Sequence, residues 1–110
     1  MNIDFNKINE SITQNHYGGR KRSIMKRYAD ELENRIIFGR LEPGASIGLH
    51  THENGSEFIF VLQGRGTALY DYGQEELIPG ICHCCPKGHS HSLMNDGSND
   101  LLFFAVVAKQ

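Results

Sequence analysis

The chain has 110 residues, 39% of them hydrophobic, and a formal net charge of −2. This length suits one domain with one core, and the composition is typical of a folded protein rather than a disordered one. The slight acidity argues against a nucleic-acid partner, which would require a basic face. No apolar run reaches the roughly 18 residues of a membrane span, and the N-terminus lacks the apolar centre of a secretion signal, so we expect a cytoplasmic protein with no membrane partner.

The first third of the chain allows more than one interpretation, whereas the rest predicts strands. Residues 21–28 are compatible with a strand or a single helical turn, and residues 29–33 have mild helical character. From residue 35 onward, short β-branched and aromatic segments alternate with glycine and proline turns, which is typical of a β-sandwich or barrel. Strands are predicted at 35–41, 58–62, 67–70, 75–78, 81–85, 90–94 and 101–108, with a turn at 71–74. The last of these is a continuous apolar run, so we expect it to be buried on both faces.

The chain's three cysteines are Cys82, Cys84 and Cys85. Cysteines so close together in an extended strand are poorly placed for bridging, and their number is odd, so we expect no disulfide. With His83 they could form a soft-metal site. Because neighbouring side chains in a strand alternate between faces, we favour instead small residues that face the core. Neither His83 nor His16 has a partner in the sequence, and we assign neither a function.

Three histidines and one glutamate predict a metal site. His50 and His52, one residue apart on a strand, would project from the same face. A tight turn at 53–56 can bring Glu57 beside them on the next strand, and His91 lies in a second block rich in glycine and proline. Three imidazoles and one carboxylate suit Mn, Fe, Co, Ni, Cu or Zn. Four protein ligands leave coordination positions open for a substrate oxygen or dioxygen.

Two spaced motifs carry a resemblance to a known family. The first motif contains Gly44, His50, His52, Glu57 and Gly64, and the second contains Gly80, Pro86, Gly88, His91 and Asn95. With these spacings, both resemble the paired motifs of small bacterial cupins. The resemblance implies an all-β double-stranded β-helix, a jelly-roll barrel that is often dimeric. It also implies one divalent transition metal in the barrel mouth, with His50, His52, Glu57 and His91 as its ligands. From the residues themselves, we expect tight turns with positive φ or close backbone approach at glycines 44, 64, 80 and 88.

The resemblance divides the chain into two parts. Residues 31–110 would form the cupin barrel, and residues 1–30 would form an N-terminal arm that packs on the barrel or on a dimer partner. Apolar residues in this arm, Ile3, Phe5, Ile8 and Ile12, favour a homodimer.

Other side chains are candidates for the pocket and for chemistry. Ile59 and Val61 share strand parity with Glu57, so we expect them to line the barrel interior together with Tyr70. Tyr70 and His89 are the catalytic candidates, because His89 shares a face with the second-motif histidine if the strand has begun there.

Two arginines, Arg40 and Arg65, are candidates for binding a substrate carboxylate, although surface positions are commoner.

We therefore interpret the chain as a metalloenzyme that acts on a small oxygen-rich molecule such as a carboxylic acid or a sugar derivative. Isomerase, lyase, decarboxylase and dioxygenase chemistry all suit such a centre, and the fold alone does not choose among them. The alternative is a module that binds or senses a small molecule without turnover. A storage barrel is the least favoured interpretation, since the ligand set is intact.

Overall fold

The computed structural model describes residues 1–71 and 73–110, which form two antiparallel sheets facing each other. Tyr72, part of the turn predicted at 71–74, lies outside the described residues. The strands within the described ranges are β1 Ser11–Gln14, β2 Arg22–Ala29, β3 Arg35–Leu41, β4 Ser46–Thr51, β5 Gly55–Gln63, β6 Gly66–Tyr70, β7 Gly73–Leu77, β8 Cys82–Cys85, β9 Ser90–Met94 and β10 Leu101–Lys109. Two short 3-10 segments lie at Phe5–Lys7 and His16–Gly18. None of the described helical segments has the length and apolarity needed to cross a bilayer.

One sheet has six strands in the order β1-β2-β3-β10-β5-β8, and the other has four in the order β4-β9-β6-β7. This is the jelly-roll architecture expected from the sequence. Sequential neighbours such as β4 and β5 lie in different sheets, so the chain crosses repeatedly between the two layers. The two blocks of motif residues are thereby distributed over both sheets.

The core lies between the sheets and follows the alternation of strand side chains. In β10, Leu101, Phe103, Ala105 and Val107 are buried, whereas the residues between them are only half-buried. The prediction that this strand is buried on both faces was therefore wrong. Only the inner face of the six-stranded sheet is covered by the other sheet, and the apolar outer face of β10 is partly exposed.

The first third of the chain adopts the strand alternative, since β2 covers most of residues 21–28 and pairs with β3. The helical character predicted at 29–33 was wrong. The side chain of Asp30 accepts backbone hydrogen bonds from Leu32 and Asn34, both at 2.9 Å, which stabilises a turn instead. Strands β1 and β2 extend the six-stranded sheet, since β1 pairs with β2 and β2 pairs with β3.

The motif glycines and asparagine shape the turns around the sandwich. Gly44, Gly64, Gly80 and Gly88 have φ of +83°, +86°, +91° and +86°, as expected for tight turns. Asn95 is fully buried, and its amide nitrogen donates to the carbonyl oxygens of Leu41 at 2.7 Å and Asn99 at 2.9 Å. This asparagine therefore ties the end of β3 to the loop before β10.

The three cysteines are free thiols, in agreement with the expected absence of a disulfide. Only Cys85 is buried, whereas Cys82 and Cys84 are exposed. The prediction of core-facing cysteines therefore holds for Cys85 alone, because alternation along β8 turns the other two outward. The buried side chain between them is His83.

Candidate metal centre

Four side chains from both sheets converge at one end of the interior. His50 lies on β4 and His91 on β9, where the two residues are paired in register. Glu57 lies on β5 of the opposite sheet, and His52 follows the end of β4. One nitrogen or oxygen from each of these residues lies within 4.8 Å of the others. The structure thus brings together the four residues that the sequence singled out.

The spacing of these atoms fits a single ion. Oε1 of Glu57 lies 2.9 Å from Nε2 of His52 and 2.9 Å from Nε2 of His91, and the two nitrogens are 3.1 Å apart. In octahedral coordination, ligand atoms that each lie about 2.1 Å from the ion are separated by roughly 3 Å when adjacent and about 4.2 Å when opposite. The three observed separations match adjacent positions in such a coordination sphere.

A chain of hydrogen bonds behind His91 determines which of its nitrogens carries the proton. Nδ1 of His83 lies 2.7 Å from Oε1 of Glu75, and Nε2 of His83 lies 3.0 Å from Nδ1 of His91. Since a carboxylate only accepts, neutral His83 donates from Nδ1 to Glu75 and accepts at Nε2. His91 must therefore donate from Nδ1, which leaves a lone pair on its Nε2.

This lone pair on His91 faces a carboxylate oxygen of Glu57 at 2.9 Å. Two acceptors at that distance repel each other unless positive charge lies between them. A cation at the convergence point relieves this repulsion and uses the lone pairs as ligands. The donor chemistry of the site therefore fits a metal ion.

His50 and Glu57 are also held in the form that binds metal. Nδ1 of His50 donates to the carbonyl oxygen of Gly48 at 2.8 Å, which leaves its Nε2 unprotonated. Burial lowers the pKa of His50 and favours the neutral ring. Burial alone would raise the pKa of Glu57, but the imidazole rings of His52 and His91 beside it outweigh burial and lower this pKa to about 2. Glu57 is therefore ionised at neutral pH.

The segment His16–Gly18 covers one side of the centre. The ring of Tyr17 stacks on His50 with 4.3 Å between centroids, and His16 stacks on Tyr17 at 4.7 Å. This crossing requires glycine at position 48, where a Cβ atom would lie 2.0 Å from the carbonyl oxygen of Tyr17. Tyr17 itself has a φ of +51°, so its backbone adopts the left-handed conformation beside His50.

A cavity of about 470 Å³ opens beside the centre. Its wall includes three of the four converging residues and two exposed arginines, Arg27 and Arg35. The converging residues on the wall are His50, His52 and Glu57, and His16 and Tyr17 lie beside them. Its apolar lining comprises Met25, Ala29, Ile37, Ile47, Ile59, Leu93, Phe103 and Val107.

The other candidates from the sequence occupy varied positions. Ile59 lines the cavity, and Val61 is buried deeper in the core. Tyr70 lies behind His91, edge-on to His83 with centroids 5.8 Å apart. Its hydroxyl lies 3.2 Å from Nδ1 of His89, which also contacts the carboxylate of Asp71. Tyr70 and His89 thus bind each other outside this cavity.

The two arginines considered for a substrate carboxylate lie elsewhere. Arg40 projects from the outer face of β3, where its guanidinium lies 3.4 Å from Asp100 and 3.7 Å from Glu10. Arg65 lies in the turn between β5 and β6, where its side chain packs close to Gly97. The arginines on the cavity wall are Arg27 and Arg35, which the sequence did not single out.

Sequence reasoning also missed His83 and His16. Alternation within β8 separates His83 from Cys82 and Cys84, but only the pairing of His83 with Ile59 of β5 shows that its face is the inner one. His16 reaches the cavity because its segment crosses β4, and its Nδ1 lies 2.8 Å from Oγ of Ser23. No local signal in the sequence predicts that crossing.

Comparison with known proteins places the chain among relatives of the same architecture. The family described as Cupin domain matches residues 37–107. An oxalate-binding protein of Thermotoga maritima is 41% identical over 69 residues, which cover 62% of this chain and 56% of that protein. The chain thus aligns with little more than half the length of this curated relative.

Solved structures extend the likeness over the whole chain. The crystal structure of a predicted oxalate decarboxylase from Thermotoga maritima superimposes with a TM-score of 0.92 at 28% identity, covering 100% of both chains. A sugar phosphate isomerase from Silicibacter pomeroyi, described as belonging to a cupin superfamily, has a TM-score of 0.79 at 24% identity and covers 100% of this chain and 76% of that one. At that identity the second likeness concerns the fold alone.

Proposed function

Because this chain belongs to the Cupin domain family, we propose that it binds a divalent transition metal through His50, His52, Glu57 and His91 and holds a small carboxylic acid there. The assignment of a metal site depends on one observation: the lone pair on Nε2 of His91 points at the ionised carboxylate of Glu57. The oxalate-binding relative and the neighbour described as a predicted oxalate decarboxylase support a small diacid as the ligand. The donor set suits Mn, Fe, Co, Ni, Cu and Zn, since nitrogen-rich sites accept several ions.

The residues around the centre would exclude water and determine the side from which a small acid approaches the metal. A bound divalent metal supplies a Lewis acid that polarises a ligand oxygen and stabilises developing negative charge. The apolar walls formed by Ile47, Ile59 and Leu93 exclude water from the interior side of the cavity. Tyr17 covers His50 from the other side, so we expect the ligand to approach from the cavity.

We propose an enzyme, with decarboxylase chemistry as the first activity to test, and keep binding without turnover as the alternative. The decisive experiment supplies oxalate to protein purified without chelator, with the bound ion identified by X-ray fluorescence. Oxalate should bind the metal-loaded protein and not the metal-free protein, as measured by titration calorimetry. Release of formate and CO2 would support the enzyme, whereas oxalate recovered unchanged would support the binding module. Equal binding to both forms of the protein would contradict the metal role.

Metal affinity should decrease by at least about tenfold when the pH falls from about 8 to about 5.5, because protons compete for the imidazole lone pairs. Glu57, with a pKa of about 2, remains ionised throughout this window and contributes little to the change. The measurement is a competition titration against a chelator whose own pH dependence is known. Affinity that does not change on acidification would contradict coordination by histidines.

The homodimer expected from the sequence stays a prediction, which light scattering would test. In the structure, Phe5 of the N-terminal segment packs edge-on against Phe104 of β10, with centroids 5.7 Å apart. On β5, the outward side chains of Phe58, Phe60 and Leu62 are 40%, 45% and 44% exposed. We propose this apolar outer face of the six-stranded sheet as the dimer contact.

A further inference from the structure

Arg35 lies on the inner face of the six-stranded sheet, the face that also carries a proposed metal ligand. In the six-stranded sheet, Arg35 of β3 pairs with Val107 of β10, and Val107 pairs with Glu57 of β5. Paired residues on neighbouring antiparallel strands project to the same side of the sheet. Arg35 and Glu57 therefore share the inner face and are separated by one strand, which places their Cα atoms about 10 Å apart.

Arg27 lies in the adjacent row of the same face. It pairs with Ile37 of β3, which continues through Ala105 of β10 to Ile59 of β5. All three partners belong to the buried core. Both arginines thus lie at inner-face positions on the wall of the cavity, where they are exposed to its open space.

The charges of these two arginines are not balanced by carboxylates among the described residues. The guanidinium of Arg27 contacts Oγ of Ser11 and Sδ of Met25, each at 3.0 Å, and both are neutral. Arg35 has no hydrogen bond or ion pair within the described ranges. On the outer face of the same sheet, by contrast, Arg22 binds Glu42 at 2.8 Å and Arg40 lies near Glu10 and Asp100.

The other charged residues on the cavity wall leave this positive charge in place. Lys109 and Glu33 form an ion pair with each other, Glu53 is exposed, and the ionised Glu57 belongs to the proposed metal centre. A guanidinium pair of this kind attracts carboxylate or phosphate groups, which it can bind through several hydrogen bonds at once.

We propose that Arg27 and Arg35 form an anion subsite for the far end of an elongated ligand whose near end chelates the metal. The proposal rests on the proposed function, because it assumes an acid bound at the metal centre. The two carboxylates of oxalate are bonded directly to each other, so both are used when oxalate chelates the metal and no distal carboxylate remains for the arginines. The ligand class is therefore a hydroxy or oxo acid that carries a second carboxylate or a phosphate several bonds away.

The test compares 2-hydroxyglutarate with 2-hydroxypentanoate, which has the same chelating end and chain length but a methyl group in place of the distal carboxylate. Binding to the Mn²⁺-loaded protein is measured by titration calorimetry. We expect 2-hydroxyglutarate to bind roughly tenfold or more tightly than 2-hydroxypentanoate, the size expected for a charged hydrogen bond. Arg35→Gln and Arg27→Gln should each reduce this preference, and the double variant should abolish it.

Arg40→Gln is the matched control, since Arg40 lies on the same strand as Arg35 but on the outer face, and it should leave the preference unchanged. Circular dichroism verifies that each variant is folded. Equal binding of the two acids to the unsubstituted protein, or a preference that survives the double variant, would overturn the subsite. If oxalate binds the metal-loaded protein but 2-hydroxyglutarate and 2-hydroxypentanoate bind equally well, the proposed function stands and the subsite fails. If no acid binds the metal-loaded protein, both fail.

Discussion

Replacing His91 with alanine should lower metal affinity by more than about a hundredfold, because changes in groups that only orient a ligand already cost about 10–100-fold. His91 is fully buried, and its Nε2 lies 3.1 Å from Nε2 of His52 and 2.9 Å from Oε1 of Glu57. Its removal leaves three ligands and a gap on the four-stranded sheet. Affinity is measured by competition with a chromophoric chelator, on protein whose fold is verified by circular dichroism.

Two further variants distinguish loss of coordination from loss of structure. Glu57→Gln keeps the volume of the side chain and removes its charge, so it should also lower metal affinity strongly while the fold survives. His89→Ala removes an imidazole two residues before His91 that contacts Tyr70 and Asp71, and it should leave metal affinity unchanged. If His91→Ala retained the affinity of the unsubstituted protein, His91 would not be a ligand.

Replacing His83 with phenylalanine should lower metal affinity by about 10–100-fold, although His83 does not face the convergence point. Its Nε2 accepts the Nδ1 proton of His91 at 3.0 Å, and its Nδ1 donates to Glu75 at 2.7 Å. Phenylalanine fills the same buried space but cannot accept this hydrogen bond. His91 then loses the partner that fixes its tautomer and ring orientation.

His83 acts as a positioning residue in this account, so its test needs a readout that packing alone would not change. His83→Gln offers a side-chain oxygen that can accept from His91, and it should retain more affinity than His83→Phe. Glu75→Gln should have a smaller effect than His83→Phe, since Glu75 is half exposed and its amide can still accept from His83. Equal affinity in the phenylalanine variant and the unsubstituted protein would show that this hydrogen-bond chain does not tune the site.

The parts of this molecule that local sequence determines were predictable. The β-branched and aromatic composition of residues 58–62 and the turn before residues 90–94 predicted strands that the structure contains as β5 and β9. The glycines at 44, 64, 80 and 88 occupy positive-φ turns, as expected. His50 and His52 project together because a period of two is a local property of a strand. The same logic failed at residues 29–33, where Asp30 stabilises a turn that helix propensity does not represent.

The parts that depend on pairing between distant strands were not predictable from one sequence. Alternation places His83 and Arg35 on one face or the other, but only their partners in the sheet show which face is the interior. The crossing of Tyr17 over β4 depends on a close contact between residues about thirty positions apart, which no local pattern encodes. For the same reason the arginines of the cavity were overlooked in favour of Arg40, which has the opposite orientation.

Because the four converging side chains come from both sheets, a bound ion would hold the two sheets together. His50 and His91 belong to the four-stranded sheet and Glu57 to the six-stranded sheet, so one cation would join the layers without a covalent bond. Any opening of the layers would then have to release the ion. Free metal at about one hundred times its dissociation constant would add about 2.7 kcal/mol to the free energy of unfolding. Heat resistance of this protein would accordingly vary with the metal supply of its surroundings.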